Sequence, residues 1–288
     1  MNIKIFLIFN YFYYFGGSII KDIAFLGPEG TFTHEVASKI SNDLLACDSI
    51  NHVMDAVISG KCSKGVVPIE NSIEGSVNII LDLLVHSYDL MIEKEIIYPI
   101  NHNLLAPKGV ELKDITDVFS HPQALAQCHN YLIEHNIKPH QTLSTAIASK
   151  KINNFKNSAS IGTLKSAKIY GLNVVEKNIQ DVDNNETRFV VISNHDSRPS
   201  SNDKTSIVFS LYDDKPGGLY EILSIFANNH INLSKIESRP SKQGLGKYIF
   251  FIDMYGHRKN EKISEILNEV RNNTSFFKIL GSYPVFES

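Results

Sequence analysis

The stretch Gly65-Val66-Val67-Pro68-Ile69-Glu70-Asn71-Ser72-Ile73-Glu74-Gly75-Ser76-Val77 decides the reading of this chain. Gly65–Ile69 is an apolar run of strand length, and polar or small residues then crowd the turn that follows it. From Val77 to His86 apolar residues recur at Val77, Ile80, Leu81 and Leu84, the i, i+3, i+4, i+7 spacing of one helix face. A buried strand that ends in a polar turn and feeds a helix is the unit of an α/β sheet. In open sheets of this kind ligands bind beyond the carboxyl ends of the strands. Capping accounts for Asn71, Ser72 or Ser76 one at a time. It does not account for Glu70, Asn71, Ser72 and Glu74 in one turn, which makes this segment the first candidate site.

The same unit recurs outward in both directions. Upstream, the strand Ile23–Leu26 meets Gly27-Pro28-Glu29-Gly30-Thr31 and then a helix over Thr33–Asn42, with another helix over Ser49–Ser59. A glycine turn at a helix start exposes backbone N–H groups to an anion, although many βα turns contain glycine. Downstream, Leu90–Leu105 reads as one long β-run. A second series follows: strand Val118–Ser120, helices Gln123–His135 and Thr145–Asn153, then strands Ala159–Gly162 and Arg188–Ser193. Two such series predict two α/β lobes with a cleft between them. The polar tract His195–Lys204 reads as a linker. Beyond it the strands Thr205–Tyr212, Ile231–Arg239, Lys247–Tyr255 and Phe276–Tyr283 alternate with helices Gly217–Asn229 and Glu261–Asn273. That order is β-α-β-β-α-β, a ferredoxin-like α+β domain.

At 288 residues the chain is long enough for two or three domains, and 43% apolar with 20% charged residues fits a soluble protein with a real core. A net charge of −3 with no basic cluster argues against nucleic acid as a partner. The three cysteines, Cys47, Cys62 and Cys128, form no CxxC pair. They give neither a disulfide framework nor a cysteine metal site, and they suit a reducing cytoplasm. Ile3–Phe15 is rich in Phe, Ile and Tyr, but no small-residue cleavage pattern follows and the run is short for a membrane span. Residues 1–21 therefore read as a leader, disordered or arising from a mis-assigned start, and no membrane partner is expected.

Three more polar segments break apolar strand ends. Ser120-His121-Pro122-Gln123 and Ser144-Thr145-Ala146 each lead into a helix. In Asn184-Asn185-Glu186-Thr187-Arg188-Phe189, Thr187 offers a hydroxyl and Arg188 a planar donor fork suited to a carboxylate; alone, this is a surface turn entering a strand. Together GPEGTFT, VPIENSIEGSV, SHPQALAQC and NETRF, followed by KPGGLYEIL and INLSKIESRP, resemble the prephenate dehydratases that carry a C-terminal ACT domain. The resemblance covers about residues 22–284. It implies a dehydratase region over 22–194 built of two lobes like a periplasmic binding protein, a linker over 195–204, and an ACT regulatory domain over 205–284. Gly218 departs from the family, which usually has Ala there.

The resemblance also implies a reaction. Prephenate, a cyclohexadienol with two carboxylates, loses carbon dioxide and water to give phenylpyruvate. Aromatisation drives the change, so no cofactor and no metal is expected. The family's essential threonine falls on Thr187, read as the donor to the departing hydroxyl, with Glu70 as the alternative acid. Asn71, Ser72, Ser144, Thr145 and Arg188 are expected to hold the substrate, and Phe189 to wall its ring. Gly217, Gly218 and Leu219, with Glu237, Ser238, Arg239 and Pro240, are expected to bind L-phenylalanine as allosteric effector. Paired ACT domains imply a homodimer or homotetramer. Arogenate dehydration and a non-catalytic amino-acid sensor are the alternatives.

Overall fold

In the computed structural model, which describes residues 20–213, 215–242, 244 and 247–286, the chain forms three sheets. Most of the expected leader lies outside the described residues, and Lys21 already belongs to the first strand. The first lobe comprises β1 (Lys21–Leu26), α1 (Phe32–Ile40), β2 (Leu44–Cys47), α2 (Ile50–Ile58), β3 (Cys62–Asn71), β4 (Gly75–Ser76), α3 (Asn78–His86) and β5 (Met91–Pro99). The second comprises β6 (Asn103–Ala106), β7 (Asp117–Ser120), α4 (Pro122–Ala126), α5 (His129–Glu134), β8 (Lys138–Gln141), α6 (Thr145–Lys151), β9 (Ser158–Gly162), α7 (Leu164–Tyr170) and β10 (Asn173–Glu176). The chain then returns to the first lobe as β11 (Glu186–Ser193), antiparallel between β3 and β5.

The sheet orders are β2-β1-β3-β11-β5, with β4 beside β3, and β10-β6-β9-β7-β8. Two lobes joined by two crossovers are the arrangement expected from the alternating pattern. Helix starts follow local chemistry. Thr31, Ser49, Ser144, Thr163 and Asn260 each accept from the backbone N–H three residues on, a contact worth about 1 kcal/mol per helix.

Two predicted elements are each divided. The β-run Leu90–Leu105 breaks at residues 100–102, so that β5 and β6 belong to different sheets. At the break Ile100 N–H donates to Asn185 O (2.8 Å), and Ile179 N–H donates to His102 O (2.9 Å). These bonds tie the two crossovers to each other. The helix predicted over Gln123–His135 is divided into α4 and α5 by the returning crossover. Asp181 N–H donates to Gln127 O at 2.7 Å, and the Asp181 carboxylate accepts from Asn130 N–H at 3.2 Å.

The C-terminal domain comprises β12 (Asp203–Ser210), α8 (Gly218–Asn228), β13 (Leu233–Pro240), β14 (Tyr248–Tyr255), α9 (Glu261–Asn272) and β15 (Phe276–Pro284), in sheet order β13-β14-β12-β15. Helices α8 and α9 cover one face over Ile207, Phe209, Ile222, Phe226, Ile252 and Leu267. The other face packs on the first lobe. There Val208, Ile249, Phe251, Leu280 and Tyr283 share one core with Leu84, Leu90, Ile92, Val190 and Ile192. Gly281, at φ +149°, permits this approach, because a Cβ there would sit 2.2 Å from Ile92 O.

The tract read as a linker is therefore a docked seam. Asp196 pairs with Arg258 at 2.6 Å, Ser197 N–H donates to Ser282 O at 3.1 Å, and Asp203 opens β12.

Candidate active site

The carboxyl end of β3 and the start of β11 meet in register, Asn71 opposite Thr187. The Asn71 side chain organises this end. Its Oδ1 accepts from Ile73 N–H and Glu74 N–H (both 3.0 Å), which closes the turn. Its Nδ2 donates to Thr187 Oγ1 (2.9 Å), Asn185 Oδ1 (2.7 Å) and Glu186 O (3.1 Å). Ser72 Oγ donates to Asn184 O (3.2 Å) and accepts from Glu186 N–H (2.9 Å). Asn71 and Ser72 thus both hold the segment that carries Thr187. Thr187 is 8% exposed, and its oxygen accepts from Asn71. Among the described residues its own hydrogen has no acceptor and can donate to another group.

From the second lobe Gln127 reaches the same point. Its Oε1 accepts from Asn185 Nδ2 (2.9 Å) and lies 2.9 Å from His102 Nε2, and its Nε2 donates to Glu74 Oε1 (3.4 Å). Because that oxygen is an acceptor, His102 Nε2 carries the ring proton. Its Nδ1 is buried with no partner among the described residues, and burial lowers the pKa of the ring.

A second interlobe contact lies at the glycine turn. Thr163 Oγ1 donates to Gly30 O (2.9 Å), Tyr170 OH donates to Glu29 O (2.7 Å), and Lys165 N–H donates to Glu35 Oε1 (3.2 Å). Gly30 sits at φ +91°, and a Cβ there would press on Ser166 at 3.1 Å. Its N–H donates to His34 Nδ1 (2.9 Å), so this donor of the turn is taken up locally rather than offered to an anion. Ser144 and Thr145 stand at the start of α6, beyond the carboxyl end of the edge strand β8; Ser144 caps that helix.

Strand alternation separates the expected residues. Phe189 and Val191, which alternate with Thr187, lie in the core under α1, whereas Val190 and Ile192 lie in the core shared with the C-terminal domain. Arg188 is on that second side. Its guanidinium lies 2.7 Å from Asp253, 3.1 Å from Glu70 and 3.4 Å from Glu95, with its side chain 10% exposed. Burial alone would lower its pKa, but the carboxylates of Asp253, Glu70 and Glu95 more than reverse this and hold it charged.

The expectation that Arg188 binds substrate does not fit this geometry. Nor does Glu70 as an acid, since its two oxygens face Arg188 and Lys235 (3.2 Å). Phe189 is 2% exposed and meets Tyr98 edge-on at 6.5 Å, within the core and not as a wall of the cleft.

A family model for prephenate dehydratase matches residues 23–197, and a second, for the ACT domain, matches residues 205–272.

The chain belongs to the prephenate dehydratase family.

It is 43% identical over 277 residues to the prephenate dehydratase of Methanocaldococcus jannaschii, covering 93% of this chain and 99% of that one. The crystal structure of the Arthrobacter aurescens prephenate dehydratase in complex with L-Phe is 35% identical. It superposes with a TM-score of 0.84 over 92% of this chain and 90% of that one. A quorum quenching acylase, GqqA, has the same architecture at 26% identity and a TM-score of 0.82, covering 92% of this chain and 98% of that one.

Within this dehydratase fold, sequence reading missed Asn185, Gln127 and His102. The first two lie inside the quoted motifs, but polar residues in a turn and a helix give no sign of a meeting across 58 residues. The ACT motifs also divide. Gly217 takes φ +84° to open α8, and a Cβ on Gly218 would meet Leu211 at 3.1 Å, with Leu219 next along the helix. Glu237 and Arg239 point instead at the first lobe, where Glu237 accepts from Ser76 (2.5 Å) and Arg239 donates to Asn78 O (2.7 Å). Ser238 and Pro240 are exposed on the opposite side of β13. Within one protomer the two effector segments therefore do not close one pocket through Glu237 and Arg239.

Proposed function

We propose that the protein converts prephenate to phenylpyruvate, carbon dioxide and water, with L-phenylalanine as effector at its ACT domain. The observation that carries this reading is the Thr187 hydroxyl, whose oxygen is occupied by Asn71 at 2.9 Å and whose hydrogen has no acceptor among the described residues. In the reaction the electron pair of the bond between ring and carboxylate moves into the ring as CO2 leaves, and the ring hydroxyl leaves as water, with the one proton this consumes drawn from solvent. Thr187 donates a hydrogen bond to that oxygen as it departs. A positioned donor of this kind contributes about 10²–10⁴-fold. Asn71, Ser72, Asn185 and Gln127 hold Thr187 in place, which supports preorganisation as the other source of rate. With Arg188 engaged by carboxylates, the charges of the substrate fall to hydroxyl and backbone donors at the strand ends, Ser144 and Thr145 among them. The fold alone does not select the reaction, since an acylase shares it; the Asn71–Thr187 constellation and the family match favour dehydration.

Three further assignments belong to the same proposal. L-Phe is held by the Gly217–Leu219 turn and by the outer face of β13, which carries Ser238 and Pro240. That face lies on an edge strand, so a second copy completes the pocket and the protein is at least a homodimer. The cytoplasm is the compartment, in keeping with three free, buried cysteines and with the absence of any helix among the described residues long and apolar enough to cross a membrane.

The test is incubation of the purified full chain with prephenate, following phenylpyruvate by absorbance, and with arogenate, following L-phenylalanine by chromatography. Turnover of prephenate with the higher kcat/KM is expected; no phenylpyruvate above the uncatalysed rate refutes the reading. Calorimetric titration with L-phenylalanine and sedimentation velocity test the effector and the assembly.

A further inference from the structure

A strand places alternate side chains on opposite faces. On β13 this sends Lys235, Glu237 and Arg239 inward to the first lobe and leaves Ser234, Ile236, Ser238 and Pro240 exposed. Lys235, with its side chain 10% exposed, donates from Nζ to Ser76 Oγ (2.7 Å) and lies 3.2 Å from Glu70 Oε1 and 3.3 Å from Glu237 Oε2. Ser76 Oγ in turn donates to Glu237 Oε2 at 2.5 Å. Glu70 and Ser76 are opposite residues of the β3–β4 hairpin, and the next rung pairs Asn71 with Gly75. The ammonium of Lys235 therefore fastens both sides of the hairpin one rung from Asn71. The strand β4 is two residues long, too short to hold that register on its own.

We propose that Lys235, a residue of the ACT domain, is a positioning residue for the dehydration. It holds the hairpin closed, so that Asn71 Oδ1 stays on Ile73 and Glu74 and Asn71 Nδ2 stays on Thr187. The inference rests on the dehydratase reading and extends it. The contacts run unbroken from β13 to Thr187: Lys235 to Glu70 and Ser76, the hairpin to Asn71, Asn71 to Thr187. A ligand or second subunit that shifts the outer face of β13 moves Lys235 on the inner face of the same strand. The ACT domain thereby acts on the site through a defined set of contacts.

The experiment compares full-length Lys235→Met, Lys235→Arg and Lys204→Met. Lys204 lies 2.9 Å from Glu95 in the same buried cluster but does not touch the hairpin. Steady-state kinetics with prephenate and hydrogen exchange of the 72–77 amides, without substrate, are the readouts. Lys235→Met is expected to lower kcat by about 2–30-fold with KM changed less than about threefold, and to speed exchange in 72–77. Lys235→Arg restores both, and Lys204→Met changes neither. Folded Lys235→Met with wild-type kcat and exchange, or an equal kcat loss in Lys204→Met, overturns the proposal. Should Lys235→Met fail to fold, Ser76→Ala removes the hydroxyl between Lys235 and Glu237 without stranding a charge. It is expected to lower kcat and speed exchange in the same direction, and wild-type values there overturn the proposal equally. If the wild-type chain does not act on prephenate, the dehydratase reading fails, and the exchange measurement still decides the clamp.

Discussion

Replacing Arg188 by Met separates two readings of the same residue. Read from sequence, Arg188 binds a substrate carboxylate, so the variant would bind substrate poorly and fold normally. In the structure the guanidinium is buried against Asp253, Glu70 and Glu95, at 2.7, 3.1 and 3.4 Å. A unit-charge pair at this range gains about 5–6 kcal/mol at an effective dielectric of 20, and each charge gives up hydration in return. Removing one partner of such a cluster typically costs about 3–5 kcal/mol, because the remaining carboxylates are left buried without their cation. Here Glu95 keeps Lys204 and Glu70 keeps Lys235, whereas Asp253 keeps the Ser206 hydroxyl and, among the described residues, no other cation, which puts the cost in the upper part of that range. Against a total stability of about 5–15 kcal/mol this is a large share. At about 2–4 °C per kcal/mol for a chain of this size, Tm should fall by roughly 6–20 °C. Urea unfolding and calorimetry measure the loss, and steady-state kinetics on the folded protein should show KM for prephenate changed less than about threefold. An R188M variant with Tm within about 2 °C of wild type and KM raised tenfold or more would refute the interdomain reading and restore the substrate contact.

Thr187→Ala should lose about 10²-fold or more in kcat with Tm nearly unchanged, while Thr187→Ser keeps most of the rate; near-normal turnover by the alanine variant would remove Thr187 from the mechanism. A fragment ending at residue 202 should not yield a soluble dehydratase. It uncovers the face where Val190 and Ile192 pack on Val208, Ile249, Phe251 and Leu280, burial worth on the order of 10 kcal/mol, and a fragment with full turnover would show the domains to be independent. Burial lowers the pKa of His102 from 6.5 in the folded state, so the unfolded chain binds the extra proton first. The stability this group contributes is complete above pH 6.5 and is lost as pH falls through the folded value. The urea midpoint should therefore drop between pH 7 and pH 5, less steeply in His102→Gln, with His34 contributing in the same direction; an unaltered slope counts against a buried neutral His102.

The residues alone were enough for the order of two α/β lobes and a βαββαβ domain, for the family, and for Asn71 and Thr187 as separate candidate site residues. Those features are local: the spacing of Val77, Ile80, Leu81 and Leu84 is a helix face whatever surrounds it, and a strand ending at Asn71 brings its own turn chemistry. Which way side chains face, and what meets across distance, depends on the packed fold. Thr187 and Arg188 are neighbours in the chain, but strand alternation puts them on opposite sides of β11. Nothing local says that one side meets Asn71 and the core under α1 and the other lies under the sheet of another domain. The run Leu90–Leu105 has strand-forming residues on both sides of Asn101-His102-Asn103, and its division between two sheets becomes visible where Asn185 and Ile179 of the other crossover bond its backbone groups. The same holds for Lys235. On its strand it reads as one more surface cation, and only the packing of β13 on the hairpin makes it a partner of Glu70 and Ser76, because burial and ion pairing are set by neighbours that the fold supplies.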